Sequence, residues 1–235
     1  MQVADAVAGR VGRRARSMRD KRERILAAAT ALFHERGFDG VTTQEIADRA
    51  DVAAGTLFRY AASKSELFLM VYNEELRTAI AEGATAAERE TDVTLAVCAL
   101  VEPVVAGAQR STSAFTYQRE LIFGSPEEEF RSEGLTLVAG LEDAVARRLL
   151  AAVTGRTAAG PAVQQAAMRA ARSTFAVLNL LLVQPRTHAH SGSDLVTELR
   201  GQIQQIVRGF LVSVDDPDRS ADGSGDRSPQ PGRRP

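Results

Sequence analysis

The sequence predicts an all-α protein in two parts: an N-terminal three-helix domain containing a helix-turn-helix, then a larger helical bundle. Three observations carry that prediction. Residues 41–67, VTTQEIADRADVAAGTLFRYAASKSEL, read as two short helices joined by a tight turn, with a third helix opening behind them. From there to about residue 214, apolar side chains recur at helical spacing and no strand alternation stands out. The 235 residues, 44% hydrophobic and 25% charged, have the make-up of a globular chain holding one large or two smaller domains.

Residues 1–18 lack periodicity and are expected to form a disordered basic arm. Between Arg10 and Arg24, eight Arg and Lys residues face only Asp20 and Glu23, a local excess of six positive charges. The whole chain has a net charge of −1, so any affinity for a polyanion must come from such clustering. Beside a helix-turn-helix, an arm of this kind suits phosphate or minor-groove contact.

From residue 19 to 36, Ile25, Leu26, Ala29, Leu32 and Phe33 line one helical face. Gly37 ends that helix as a left-handed cap and Phe38 tucks back onto it. Thr42 or Thr43 caps the next helix, and Glu45 stands three residues after Thr42 in a capping-box pattern. Ile46, Ala47 and Ala50 supply its inner side. Asp51 and Val52 make the turn. The second helix is expected over 53–60 with Leu57 inward, and Ser63 caps a longer helix with Glu66 three residues on. In this layout the second helix enters the DNA major groove.

Ile46-Ala47, Ala50, Val52, Gly55-Thr56-Leu57-Phe58-Arg59-Tyr60, Ser63-Lys64 and Leu67 together resemble the DNA-binding domain of TetR-type transcriptional regulators. The preceding RILAAATALFHERGFDGVTT is similar to that family's first helix and its Gly-Phe exit. The resemblance covers residues 19–70. It departs at three places: Phe58 for the usual Tyr, Asp51 for the usual turn Gly, and Ala61-Ala62 for the usual Phe-Pro. Asp reaches the left-handed conformation at some cost.

The resemblance implies a DNA-binding domain over 19–62, a ligand-binding and dimerisation domain over 63–214, and a helix from Ser63 to Gly83 linking the two. It implies a homodimeric repressor on a double-stranded operator, released by a small, largely apolar, neutral or weakly cationic effector; the alternatives are a helical DNA-binding factor with no ligand, or a helical enzyme or carrier with a vestigial helix-turn-helix. Base readout is expected from Gln44, Ala53, Ala54 and Arg59, since Gln can pair with adenine, Arg with guanine, and Ala can touch a thymine methyl. Thr43, Thr56, Tyr60 and Lys64 are expected on phosphates, and Phe58 at the same surface without the hydroxyl of the usual Tyr.

The stretch 83–91 is small and polar, a connection. Residues 91–109 are apolar nearly all round, as in a helix buried on every side. Pro103 in its middle should kink it, as a packing feature or as the side of a cavity. A helix over 111–123 carries Phe115, Tyr117, Leu121, Ile122 and Phe123. Ser125-Pro126 then reads as a helix start with Glu127, Glu128 and Glu129 favourable to its dipole. Gly134 and Gly140 in the following helix suggest close packing. Pro161 starts a helix with small residues four apart at Ala162, Ala166, Ala170 and Thr174, and with Asn179 the polar side chain in FAVLNLLLV. A buried amide there needs a partner. An amphipathic helix with Leu199, Ile203, Ile206 and Phe210 follows. The homodimer is expected through 161–184 and 194–214, with Ala170 in the interface. From 215 to 235 the composition is that of a disordered tail.

An effector site of mostly apolar walls with a few polar groups is expected around Cys98, Phe115, Gln118, Phe123, Leu141, Phe175 and Asn179, with Tyr117 among the few polar groups nearby. No nucleotide-loop, nucleophile-elbow or zinc-protease motif is present, so no catalytic residue is expected. His188 and His190 make half a metal site with nothing to complete it, so neither metal nor cofactor is expected. One cysteine excludes an intramolecular disulfide framework and fits a reducing cytoplasm. The longest apolar run, 175–183, is short of the ~20 residues that span a bilayer, so no membrane partner is expected.

Overall fold

The structure, a computed structural model, describes residues 2–109, 113–154, 160–187 and 194–215, with side chains described from Arg16 on and, in the third stretch, to Val183. His188, His190 and residues 216–235 of the expected tail lie outside the described residues. The elements are α1 (Gln2–Arg36), α2 (Thr43–Arg49), α3 (Ala54–Leu57), α4 (Lys64–Ala87), α5 (Val93–Gln109), α6 (Ala114–Phe123), α7 (Glu129–Val153), α8 (Pro161–Thr187) and α9 (Leu195–Asp215), with no strand among the described residues.

Helix α1 runs back through the basic stretch to Gln2, over the residues where a disordered arm was expected. Ala, Arg and Met are good helix formers, no proline interrupts residues 2–36, and the helix already nucleated on its buried half propagates. At its other end Gly37 sits at φ 70° and its N–H donates to the Phe33 carbonyl at 2.8 Å, the expected left-handed cap. Phe38 folds back so that its ring meets Phe33 and Phe68. Ile25, Ala29, Leu32 and Phe33 form one core with Val41, Ile46, Ala47, Leu57 and the first two turns of α4.

A second core joins α5, α7, α8 and α9. Helix α4 belongs to both, since Leu67 to Val71 are buried in the first while Ile80 and Ala87 pack on the second. It extends past Gly83, where a chain connection was expected. A Cβ on Gly83 would lie 2.4 Å from the Leu100 carbonyl oxygen, so glycine here permits the closest crossing of α4 and α5.

Three further expectations are corrected. Helix α5 is not buried on every side: Leu95 is exposed and Val93 and Val104 are half-buried. Helix α7 starts at Glu129, and no side chain of the Ser125–Glu128 stretch caps it. The cap comes from α4, where the Glu66 carboxylate accepts from the Phe130 N–H at 2.9 Å. Ala170 lies inside the protomer's own core with Ala167 and Ala171, so it is no interface residue. Helix α8 is nonetheless apolar over Pro161–Val183, long enough by length and composition to cross a bilayer, and only 33% of that window is buried. Its alanines extend the apolar run well beyond 175–183.

Candidate nucleic-acid interface and effector cavity

Thr42 and Glu45 close the capping box at the start of α2. Glu45 N–H donates to Thr42 Oγ1 at 3.2 Å and Thr42 N–H to Glu45 Oε2 at 2.8 Å. The Arg36 guanidinium 2.7 Å away, then Thr42, hold the Glu45 carboxyl down at about 2, so the box stays ionised. Asp51 turns the chain at φ 51°, and Arg24 of α1 donates to both its carboxylate and its carbonyl, at 3.0 and 3.3 Å. That tie fixes a left-handed residue where glycine would need no help.

The recognition helix is shorter than expected. Regular α-helix spans only Ala54–Leu57 and continues as a turn to Tyr60. Ala53 offers no side-chain cap, and Gly55 sits in mid-helix at a propensity cost of about 1 kcal/mol.

This segment presents Ala53, Phe58 and Arg59 to solvent and leaves Ala54, Thr56 and Tyr60 half-buried. Gln44 is exposed on α2, where its amide donates to Asp48 at 2.8 Å, and Thr43 is half-buried beside it. The Lys64 ammonium lies 4.4 Å above the Phe38 ring. The Tyr60 hydroxyl donates to the Met18 carbonyl at 3.2 Å, fastening the recognition segment to α1. Arg59 has no ion-pair or hydrogen-bond partner among the described residues, and neither do the exposed Arg16, Arg19 and Arg22 of α1. Arg24, Arg36 and Arg49, by contrast, are spent on carboxylates within the domain.

The second candidate site is a cavity of about 110 Å³ between α4, α5, α6, α7 and α8. Of the residues expected at an effector site, Gln118, Leu141, Phe175 and Asn179 line it. Cys98, Phe115 and Phe123 do not. Cys98 lies in the second core, and burial pushes its thiol up to about 11. Phe115 and Phe123 are turned out to solvent, Phe123 with 80% of its surface exposed. The phase of α6 explains this: Ala114, Tyr117, Gln118 and Leu121 form its inner stripe, which leaves Phe115 and Ile122 seven apart on the outer one. Asn179 finds its partner within its own helix, donating to the Phe175 carbonyl at 2.9 Å, while Gln118 donates to the Asn179 backbone carbonyl at 3.3 Å.

Tyr117, expected near the site, lines the cavity, as do Tyr72 and Glu75, which were not selected from sequence. Tyr117 was legible as an inner-stripe residue, three before Glu120 and four before Leu121; Glu75 carried no signal. The Tyr117 hydroxyl donates to Asn73 Oδ1 at 2.7 Å. Asn73, fully buried in α4, donates in turn to the Phe130 carbonyl at 2.8 Å and to Glu133 at 3.0 Å. Burial, then the Glu133 charge, pushes the Tyr117 phenol up, so it remains a protonated donor. Gly134 makes room for this junction. A Cβ there would lie 2.6 Å from Leu121, 2.8 Å from Asn73 Oδ1 and 3.0 Å from the Tyr117 hydroxyl, whereas Gly140 faces open space. The close packing expected at both glycines is found at Gly134 alone. Ser63 adds a further tie, donating to Glu128 at 3.1 Å. The cavity wall and the start of α7 are thus bonded to the first turns of the helix that leaves the N-terminal domain.

Residues 25–71 match the family model of bacterial regulatory proteins, tetR family. The transcriptional repressor KstR of Mycobacterium tuberculosis is 38% identical over 97 residues, 38% of this chain and 43% of KstR. The transcriptional regulator HbdR of an Aromatoleum species is 31% identical over 107 residues, 42% of this chain and 44% of HbdR. The chain thus spans less than half the length of these curated relatives. Over most of its length it shares a fold with the Bacillus subtilis transcriptional regulator FadR, solved in complex with stearoyl-CoA, at TM-score 0.58 and 17% identity over 80% of this chain and 98% of FadR. A TetR regulator from Rhodococcus sp. RHA1 superposes at TM-score 0.57 and 18% identity over 84% of this chain and 99% of its own. Over residues 25–71 the chain is thus similar to the tetR family of bacterial regulatory proteins.

Proposed function

We propose that the protein is a sequence-specific transcriptional repressor of the bacterial cytoplasm, which holds its operator as a homodimer and releases it when a small, mostly apolar effector fills the cavity. The observation that carries this reading is the double membership of α4. One end carries Lys64 beside the exposed recognition segment; further along, the same helix forms a wall of the cavity. An effector moves the equilibrium only by preferring one arrangement of the two domains, and α4 with its Asn73–Tyr117 contact is the element both arrangements share.

Arg59, Gln44, Ala53 and Ala54 read base edges, with Gln44 exchanging its Asp48 bond for a base. Thr43, Thr56, Tyr60 and Lys64, with Phe58 at their margin, set the domain on phosphates, and the basic length of α1 adds sequence-independent contact. One such unit is small, and a two-fold pair places two recognition segments one duplex turn apart, about 34–36 Å. The outward faces of α8 and α9 suit that pairing. Leu180 and Val212 are exposed there, and Gly201 and Gly209 leave open space for close approach. Selecting random DNA with the full-length protein tests the reading. It should return one two-fold-symmetric site with half-site centres about 10 base pairs apart or a multiple of that; fragments without a shared motif would reject it.

A further inference from the structure

Among the described residues, Glu75 is the charged side chain on the wall of the mostly apolar cavity, whose other polar groups, such as Gln118 and Asn179, are neutral. It also lines a second cleft, of about 450 Å³, which runs between α1 and the α4–α5 pair and shares Glu75, Ala79 and Gly107 with the cavity. Glu75 therefore stands where the mostly apolar cavity meets a second cleft that carries more polar groups.

The cleft is one-sided in charge. It is lined by three carboxylates, Glu74, Glu75 and Glu82, and by no Lys or Arg. Its basic group is His34 of α1, whose Nε2–H donates to Glu75 Oε1 at 2.6 Å. Glu74 is engaged by Arg77, while Glu82 has no ion-pair partner among the described residues. A cleft lined by one sign of charge concentrates the opposite ion and repels its own. An anionic head group would meet repulsion along this approach, and an ammonium would be drawn in.

A carboxylate at the edge of an apolar chamber needs a positive or hydrogen-bonding partner. His34 fills that role when the chamber is empty, but both partners of the pair are partly exposed, 48% and 38%, so the tie is weak and exchangeable. The chamber itself, about 110 Å³, approaches the roughly 150 Å³ at which an apolar protein cavity holds a benzene ring.

From this geometry we propose that the effector is a small organic cation, a protonated amine on a compact ring-sized apolar body, whose ammonium takes Glu75 in place of His34. The proposal rests on the cavity being the effector site. It also gives the effector a lever. His34 belongs to the helix that supports the recognition segment, so displacing it removes one tie between α1 and α4. The ligand then prefers domain arrangements in which that tie is open, the differential affinity that release requires.

The test uses three probes that share one apolar body and differ in head group: 2-phenylethylamine, 2-phenylethanol and 3-phenylpropionate, titrated calorimetrically into the full-length protein. The amine should bind at least about tenfold more tightly than the alcohol, the ratio expected of a charge-assisted bond, and the carboxylate most weakly. Glu75→Gln should abolish the amine's advantage and leave alcohol binding as it was. His34→Ala should tighten the amine alone, because it removes the competitor; a merely structural His34 would not do so. Equal binding of the three probes, or an amine advantage that survives Glu75→Gln, overturns the head-group assignment while leaving the cavity as a site. Absence of binding by all three at millimolar concentration overturns the proposal outright. The DNA selection uses none of these compounds, so its result stands apart.

Discussion

Removing a single oxygen atom from the Tyr117 side chain should be felt well beyond the cavity. In Tyr117→Phe the ring still fills its place, but Asn73 Oδ1 loses the donor at 2.7 Å. Asn73 is 0% exposed, so water cannot replace that donor without rearrangement. Its amide nitrogen is already committed to Phe130 and Glu133, which prevents the side chain from simply flipping. A buried acceptor left unsatisfied costs about 1–3 kcal/mol. For a chain of this size each kcal/mol moves the melting temperature by about 2–4 °C, so a fall of about 4–8 °C is expected for a mid-range loss of about 2 kcal/mol. The assay is thermal and urea denaturation of Tyr117→Phe, Asn73→Ala and the double variant. The pair should show a coupling energy of about 0.5–3 kcal/mol, since the two residues touch. If Tyr117→Phe melts with the wild type, the junction between α4 and α6 is not a strong one and the route from cavity to DNA-binding domain must lie elsewhere.

Three other outcomes are expected. Burial above all raises the Glu66 carboxyl above its usual 4.5; the folded state therefore binds more protons than the unfolded state between 4.5 and that raised value, and this group's contribution to stability falls as pH rises through that window. Glu66→Gln, which still accepts from the Phe130 N–H, should flatten that segment of a urea-stability profile against pH, and an unchanged profile would assign the slope to other groups. Gly37→Ala should cost about 1–2 kcal/mol for placing a side chain at φ 70°, with no steric part because nothing lies within 4 Å of the added carbon; Gly134→Ala should instead disturb Asn73 and Tyr117, and the two are told apart by whether the Tyr117→Phe background absorbs the loss. Leu180→Arg, at a position 58% exposed in the protomer, should leave helicity intact and shift sedimentation from dimer to monomer, and a wild type that is monomeric at micromolar concentration, free and on DNA, would refute the pairing.

The N-terminal domain was legible because its signals are local. A Thr and a Glu three apart, a Gly after a helical face, and an Asp in a tight turn each act on neighbours within four residues, and the capping box, the φ of 70° at Gly37 and the φ of 51° at Asp51 are where the sequence puts them. The bundle was less legible because its choices are distant. The cap on α7 comes from Glu66, 64 residues earlier than the N–H it accepts. On α6, apolar side chains occur on two faces, and apolarity alone does not say which one the protomer buries; Phe115 and Phe123 face outward while Gln118 lines the cavity. Glu75 was unreadable for the same reason, since a carboxylate next to Glu74 in a helix resembles any solvated surface residue until α5 and α6 are placed against it.

Comparing Arg59 with Lys64 decides whether the exposed recognition segment reads DNA sequence. Affinities of Arg59→Ala and Lys64→Ala for the selected operator and for each single-base variant would be measured by fluorescence anisotropy across a range of salt. If Arg59 pairs with a guanine, Arg59→Ala loses about 1–3 kcal/mol on the operator and becomes indifferent to the base at one position in each half-site. Lys64→Ala should weaken every sequence alike and reduce the salt slope by about one per protomer. Unchanged affinity and unchanged base preference in Arg59→Ala would contradict the account.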